Sequence, residues 1–194
     1  MTFGRYVGNI SSRFDATELM AQLASVPQWL DAGQVLPLSD GHDQVLTSDL
    51  VMGGQAVSVA IKVFGRQSFF KDWFDRRNGS KAARSYHAGE FLYQKALGTA
   101  EPIAWLDRWD HGRLVESYYL CRHVAAPCFR DALIQIYDQE QNNAGMMALL
   151  EKVAPALRRL HAAGFMHGDL GNQNILVPKS SAGTYLEPLF IDLN

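Results

Sequence analysis

Apolar residues along the chain fall into two rhythms. At helical spacing, Leu19, Met20, Leu23 and Val26 follow Asp15-Ala16-Thr17-Glu18, which reads as a capping box at the start of a helix ended by Pro27. A short turn with Trp29 and Leu30 follows, closing near Gly33. A second helix is predicted from a Ser80 cap to about Leu97, with Tyr86, Glu90, Tyr93 and Leu97 on one face. Two more are predicted over Cys128–Tyr137 and Ala144–Ala163. The last places Met147, Leu150, Val153, Leu157 and Leu160 on one face, with Pro155 expected to kink it by deleting a backbone bond.

Between these stretches the rhythm is that of strands. Val35-Leu36, Gln44–Val51 and Ala56–Phe64 predict a three-stranded antiparallel meander, punctuated by Ser39–Asp43 and by Met52-Gly53-Gly54-Gln55. Glu101–Leu106 and Val115–Cys121 predict two more strands, bringing the sheet to five. Near the end, Ile175-Leu176-Val177 and Leu189-Phe190-Ile191 read as a hairpin that leads into Asp192. The pattern predicts an α+β chain in three parts: a helical brace over 1–33, a sheet-bearing lobe over 34–122 and a mainly helical lobe over 123–194.

Composition narrows the class of protein more than the partner. With 194 residues, 47% of them hydrophobic, the chain can bury a core, and 18 basic against 20 acidic residues leave a net charge of -2. Global charge points to neither nucleic acid nor membrane, so a partner of either kind needs a local patch. Cys121 and Cys128 form no disulfide framework and no four-ligand metal set, as expected in a reducing cytosol. Nowhere do 18 apolar residues run together, and the N-terminus has no export signal, so the expectation is a cytoplasmic protein.

Chemistry concentrates in His167-Gly168-Asp169-Leu170-Gly171-Asn172-Gln173-Asn174. Asp and Asn in a glycine-containing loop are commonly turn formers. Here they stand after a helix ending at Gly164 and before an apolar hairpin that exits at Asp192. Far upstream, Lys62 interrupts the apolar strand Ala56–Phe64. It is either an edge charge facing water or a buried ammonium that needs an anion. Glu90 is the candidate anion on the predicted helix. His161 and His167 lack a third ligand at suitable spacing and read as structural.

The Asp169-to-Asn174 spacing, Asp192 after the hairpin and Val59-Ala60-Ile61-Lys62 resemble the motifs of protein-kinase-like phosphotransferases. Gly79–Arg84, Glu101–Ala104 and Val115–Tyr118 resemble, more narrowly, the Kdo/WaaP lipopolysaccharide kinases. The resemblance implies a bilobal fold, with a five-stranded antiparallel sheet lobe and a mainly helical lobe that would continue beyond Asn194. It also implies ATP as donor and Mg as metal. The acceptor would be a heptose or Kdo hydroxyl of lipid-linked inner core, reached at the inner face of the cytoplasmic membrane.

By that resemblance Asp169 accepts the hydroxyl proton, Asn174 and Asp192 hold Mg, and Lys62, oriented by Glu90, pairs the phosphates. Backbone groups of Arg122-His123-Val124 bond the adenine edge. The glycine-rich phosphate loop is the poorest match, its best candidate being Gly41 between Asp40 and Asp43, whose charges would repel phosphate unless turned outward. Aminoglycoside- or choline-type phosphotransferases, an atypical protein kinase and a non-catalytic nucleotide-binding scaffold are the other readings these motifs allow. If the chain is a truncated lobe, the faces of Ile175–Val177 and of the helix before His161 are expected to be partly uncovered. Phe69, Phe70, Trp73 and Phe74 stand among Lys71, Arg76, Arg77, Lys81 and Arg84, a mixture suited to an anionic membrane surface.

Overall fold

The structure, a computed structural model, describes residues 1–31, 36–39 (as backbone), 44–65, 75, 77–138 and 143–193. Gly41 and the aromatic and basic residues Phe69, Phe70, Lys71, Trp73, Phe74 and Arg76 lie outside that set. The chain divides into two compact units, Met1–Glu90 with Glu101–His123, and Phe91–Ala100 with Val124–Asn194.

In the first unit the strands are β1 (Thr2–Phe3), β2 (Tyr6–Ile10), β3 (Leu36–Ser39), β4 (Gln44–Met52), β5 (Gln55–Val63), β6 (Pro102–Asp110) and β7 (Arg113–Arg122). They form one antiparallel sheet in the order β1-β2-β6-β7-β5-β4-β3. The five expected strands are β3 to β7. The first ten residues, read from sequence as part of a helical brace, instead supply β1 and β2. Tyr6-Val7-Gly8-Asn9-Ile10 alternates buried with exposed positions, but over so few residues that the strand signal is weak. Gly8 lets β2 press against β6, since a Cβ there would overlap the Trp105 carbonyl oxygen.

One face of the sheet meets α1 (Ala16–Ala24) and α2 (Val26–Asp31). Leu19, Leu23 and Val26 pack there with Leu50, Val59, Ile61, Ile103, Leu106 and Leu120, while Met20, expected in the stripe, is largely exposed. Asp15 caps α1 by accepting the Thr17 N–H at 2.8 Å. The capping box does not close. Glu18 instead accepts the N–H groups of Gly53 (2.9 Å) and Gly54 (3.4 Å), and Gln22 bonds both backbone groups of Val51. The β4–β5 turn, with positive φ at both glycines, is therefore tied to α1.

The opposite face carries Phe64, Tyr119, Trp105 and Cys121 against Ala82 and Tyr86 of α3 (Lys81–Gln94). Ser80 caps α3, its Oγ accepting the Ala83 N–H at 3.0 Å. Further along, Gly89 allows the helix to touch the sheet: a Cβ there would lie 2.8 Å from the Tyr119 hydroxyl and 2.9 Å from Pro102 Cγ.

The second unit contains α4 (Phe129–Asp138), α5 (Asn143–Ala162) and the hairpin β8 (Ile175–Leu176) and β9 (Leu189–Phe190). The buried stripe of α5 is Leu149, Val153, Ala156 and Leu160, and the helix runs on through Pro155. Met147 and Leu150, expected on that stripe, are exposed. Steps of four, three and four residues turn the buried face away from the one the sequence suggested. The expectation that Ile175–Val177 would be uncovered is also overturned, for Ile175 and Val177 are 3% and 1% exposed. Backbone contacts with Pro127 and Cys128 close over that strand. Among the described residues no helix is long and apolar enough to cross a membrane.

Candidate active site

In the second unit, α5 gives way to the loop at Gly164, in the left-handed region (φ +76°), with the Phe165 N–H bonded back to the Leu160 carbonyl. His167 then joins the two ends of the candidate site. Its Nδ1 accepts the Asp169 N–H at 3.2 Å, so Nε2 carries the proton and donates to the Ile191 carbonyl at 2.9 Å. One neutral imidazole thus fixes the backbone of Asp169 and that of the residue before Asp192.

Asn174 supplies a second tie. It is buried, and its Nδ2 donates to the Asp169 carbonyl at 2.8 Å and to Asp169 Oδ2 at 3.3 Å. Its own carbonyl oxygen accepts the Ile191 N–H at 3.0 Å. Asp169, Asn174 and the approach to Asp192 therefore form one hydrogen-bonded assembly, with the Asp169 carboxylate exposed. Asp192 is held at φ +61°, a strained conformation for a side-chain-bearing residue and one that concentrates at functional sites.

The segment after α3 anchors the strand that leads to Asp192. The Gly98 carbonyl accepts the Phe190 N–H at 3.0 Å, and Thr99 Oγ1 donates to the Phe190 carbonyl at 3.0 Å. Gly98 has φ +78°, and a Cβ there would overlap the Pro188 carbonyl oxygen, so no other residue fits without displacing the strand.

In the first unit, Lys62 stands on β5 opposite Tyr119, on the α3 side of the sheet and not on an edge, since β5 is paired on both flanks. Its Nζ lies 5.1 Å from the centre of the Phe64 ring. Beside it Cys121 is pushed up to about 12, by burial first, with the Lys62 ammonium partly opposing that rise. A thiol held protonated in this way is a poor nucleophile. On α3, the Glu90 carboxylate is gripped by both terminal nitrogens of Arg13, at 2.7 and 2.9 Å.

At the end of β7, Arg122 donates its N–H to the Glu101 carbonyl and pairs its Nε with the Glu101 carboxylate at 2.9 Å. The His123 N–H bonds the Ser58 carbonyl, and the Val124 carbonyl accepts the Ala126 N–H. Gly41, the candidate phosphate-loop residue, is not among the described residues.

The site chemistry suits a hard cation. No cluster of three or more His, Cys, Asp or Glu able to hold a metal occurs among the described residues. A magnesium ion needs no such cage, because it keeps several waters and shares its oxygen ligands with phosphates. Asn174 and Asp192 offer a carboxamide and a carboxylate oxygen, a donor set that fits Mg and not a soft metal.

A two-flanked lysine strand with a helix across it, and an Asp-to-Asn loop tied to a strained Asp, define an α+β fold of the protein-kinase-like kind. The chain belongs to the lipopolysaccharide kinase (Kdo/WaaP) family, whose model matches residues 66–194. That span holds Glu90, Arg122, Val124, Asp169, Asn174 and Asp192, while Lys62 and Gly41 precede it. Among solved structures the chain is similar to "WaaP in complex with acyl carrier protein", with a TM-score of 0.58 and 19% sequence identity. The likeness covers 86% of this chain and 63% of that one, so this chain spans less than two thirds of its length. No curated protein matches the sequence.

Arg13 precedes a helix cap and belongs to no motif, so nothing local marks it. Gly89 and Gly98 had no local signal either, because a glycine required by close approach looks, in one sequence, like any other. The pinning role of His167 was legible only as membership of the loop.

Proposed function

We propose that this protein is an ATP- and Mg-dependent phosphotransferase acting on a sugar hydroxyl, heptose or Kdo, of lipid-linked inner core. The observation that carries the reading is the assembly of Asp169, Asn174 and the Asp192 approach, joined through one histidine tautomer and one buried asparagine. An exposed carboxylate on a backbone fixed at both ends is what a base for an incoming hydroxyl requires.

In this mechanism Asp169 takes the hydroxyl proton as the sugar oxygen attacks the γ-phosphorus, and the bond from that phosphorus to the β–γ bridging oxygen breaks to release ADP. The Asn174 amide, bonded to Oδ2, holds the carboxylate in one orientation. Asn174 and Asp192 would hold Mg, which when bound supplies charge neutralisation for the phosphates. Lys62 contributes a second positive charge toward the phosphates, and Glu90 orients it. Backbone groups near Arg122 and Val124 would receive the adenine, and the turn at Gly41 would cover the phosphates.

The test is transfer of labelled γ-phosphate to lipopolysaccharide stripped of its core phosphates. Asp169→Ala should lower the rate by about 100-fold or more, the scale of a positioned general base, without a matching change in melting temperature. Wild-type turnover by that variant would remove Asp169 from the mechanism. Binding of nucleotide with no transfer to any core sugar would favour a scaffold.

A further inference from the structure

Glu90 is reached by a residue that no kinase motif contains. Arg13 lies between β2 and α1, upstream of the matched span 66–194. Its Nη1 and Nη2 fork onto the two Glu90 oxygens at 2.9 and 2.7 Å. Nη2 also donates to the Pro102 carbonyl at 2.8 Å, and Nε lies 3.4 Å from Glu101 Oε1. The other Glu101 oxygen holds Arg122 at 2.9 Å. One guanidinium thereby ties α3, the start of β6 and, through Glu101, the end of β7. Both carboxylates are mostly covered, with side chains 15% and 16% exposed, so the contacts are screened less than an ordinary surface pair.

The same segment is seated on β6 and reaches α3 beside Tyr86. The Ser11 N–H bonds the Ile103 carbonyl at 2.8 Å, seating the loop on β6. Burial pushes the Tyr86 hydroxyl, one turn before Glu90, upward, and Ser11 and Asn9 beside it partly oppose that rise. The fork uses two of the lone-pair positions of a carboxylate that has about four, so Glu90 can still accept a bond from an ammonium. A planar fork fixes the carboxylate plane as well as its position, which a single ammonium cannot do.

We infer that Arg13 is a positioning residue, through which the N-terminal β1–β2 segment holds Glu90, and with it α3, in the orientation phosphotransfer needs. The inference rests on the kinase reading for its consequence in turnover, but the tether itself can be tested without that reading. Because the anchoring arm lies outside the matched span, anything that lifts β1 and β2 off β6 would lower activity without touching a substrate-binding group.

The experiment uses the full 194-residue chain. Arg13→Ala should reduce kcat for phosphate transfer by between about 10- and 100-fold, the scale of a displaced catalytic group, with KM for ATP changed much less. Arg13→Lys, which keeps the charge and loses the fork, should fall between the two. In a Glu90→Ala background, Arg13→Ala should cost nothing more, whereas independent losses would mean that Arg13 acts elsewhere. Hydrogen exchange supplies the second readout: the amides of residues 86–94 should exchange faster in Arg13→Ala, with β4 and β5 unchanged. If the wild type transfers phosphate and both Arg13 variants match it, the inference is overturned. If the wild type transfers none, the kinase reading fails, and unaltered exchange at 86–94 in Arg13→Ala would then overturn the tether as well.

Discussion

At the scale of single residues, the most perturbed carboxyl among those described lies outside the candidate active site. Asp107, on β6, is 2% exposed, and desolvation pushes it up to about 6, with help from the charge of Asp75. Hydrogen bonds from Ser80 and Ser117 oppose the rise, the latter at 2.7 Å, and Arg84 stands on the far side of Asp75 at 2.8 Å. A carboxyl whose folded value lies above its unfolded one favours folding while protonated. That contribution is fully present below about 3.8 and is lost as pH rises through about 6. Each pH unit between the two values removes roughly 1.4 kcal/mol. Asp107→Asn keeps the shape and drops the titration. It should therefore be more stable than wild type at pH 7, with the gain vanishing near pH 4, as followed by urea melts across that range. A wild-type pH profile in the variant would place the cost of ionisation elsewhere. His167 offers a second test at this scale, because one ring makes two bonds that no other side chain supplies in that geometry. His167→Ala should lower kcat by about tenfold or more through misplacement of Asp169. An unchanged kcat would mean that the Asn174 tie is sufficient alone.

At the scale of elements, two glycines of similar backbone conformation make opposite predictions. Gly98 and Gly164 have φ of +78° and +76°, but a Cβ at Gly98 would overlap Pro188, while at Gly164 nothing lies within 4 Å. Gly164→Ala should cost about 1–2 kcal/mol of left-handed strain and little activity. Gly98→Ala adds overpacking of roughly 1–3 kcal/mol and displaces the strand that leads to Asp192, so it should lose both stability and turnover. Equal melting temperatures for the two variants would show that the strand yields freely. The same contrast marks what a sequence discloses. β3 to β7, α3 to α5 and the β8–β9 hairpin follow from periodicity and from turn residues acting locally. Asp169, Asn174 and Asp192 stood out because they sit at a motif spacing, and the hydrogen bonds join the first two with the approach to the third. β1 and β2 were not, since a strand this short carries too few alternations, and its partner β6 lies about a hundred residues away. Neither was the Arg13 fork, for an ion pair 77 residues apart leaves no trace in either local pattern. The α5 stripe was misread for a related reason: Met147 and Leu150 fit helical periodicity as well as Leu149 does, and only the packed neighbours choose between them.

At the scale of the whole molecule, the proposed acceptor raises the question of how a chain with no membrane-crossing helix among its described residues would meet a lipid-linked sugar. Its net charge of -2 gives no overall attraction to an anionic bilayer, so attachment has to come from a local basic and aromatic stretch. Phe69 to Arg84 is the stretch with that composition. Arg84 is already committed, donating to Asp75 Oδ1 and to the Gly79 carbonyl, and Lys81 lies over the Phe64 ring at 5.8 Å. Arg77 is exposed. Each basic residue near such a surface contributes only about 1 kcal/mol, and salt screens it over about 8–10 Å, so binding should be modest and should weaken as salt rises. Vesicles of phosphatidylglycerol and phosphatidylethanolamine should sediment the wild-type protein at low salt. Changing Lys71, Arg76, Arg77 and Lys81 together to Gln should abolish that sedimentation while leaving the melting temperature nearly unchanged, because the pair of Arg84 with the buried Asp75 carboxylate is kept. Full sedimentation by the variant would place the membrane contact elsewhere, and a large fall in melting temperature would assign these side chains to the packed interior.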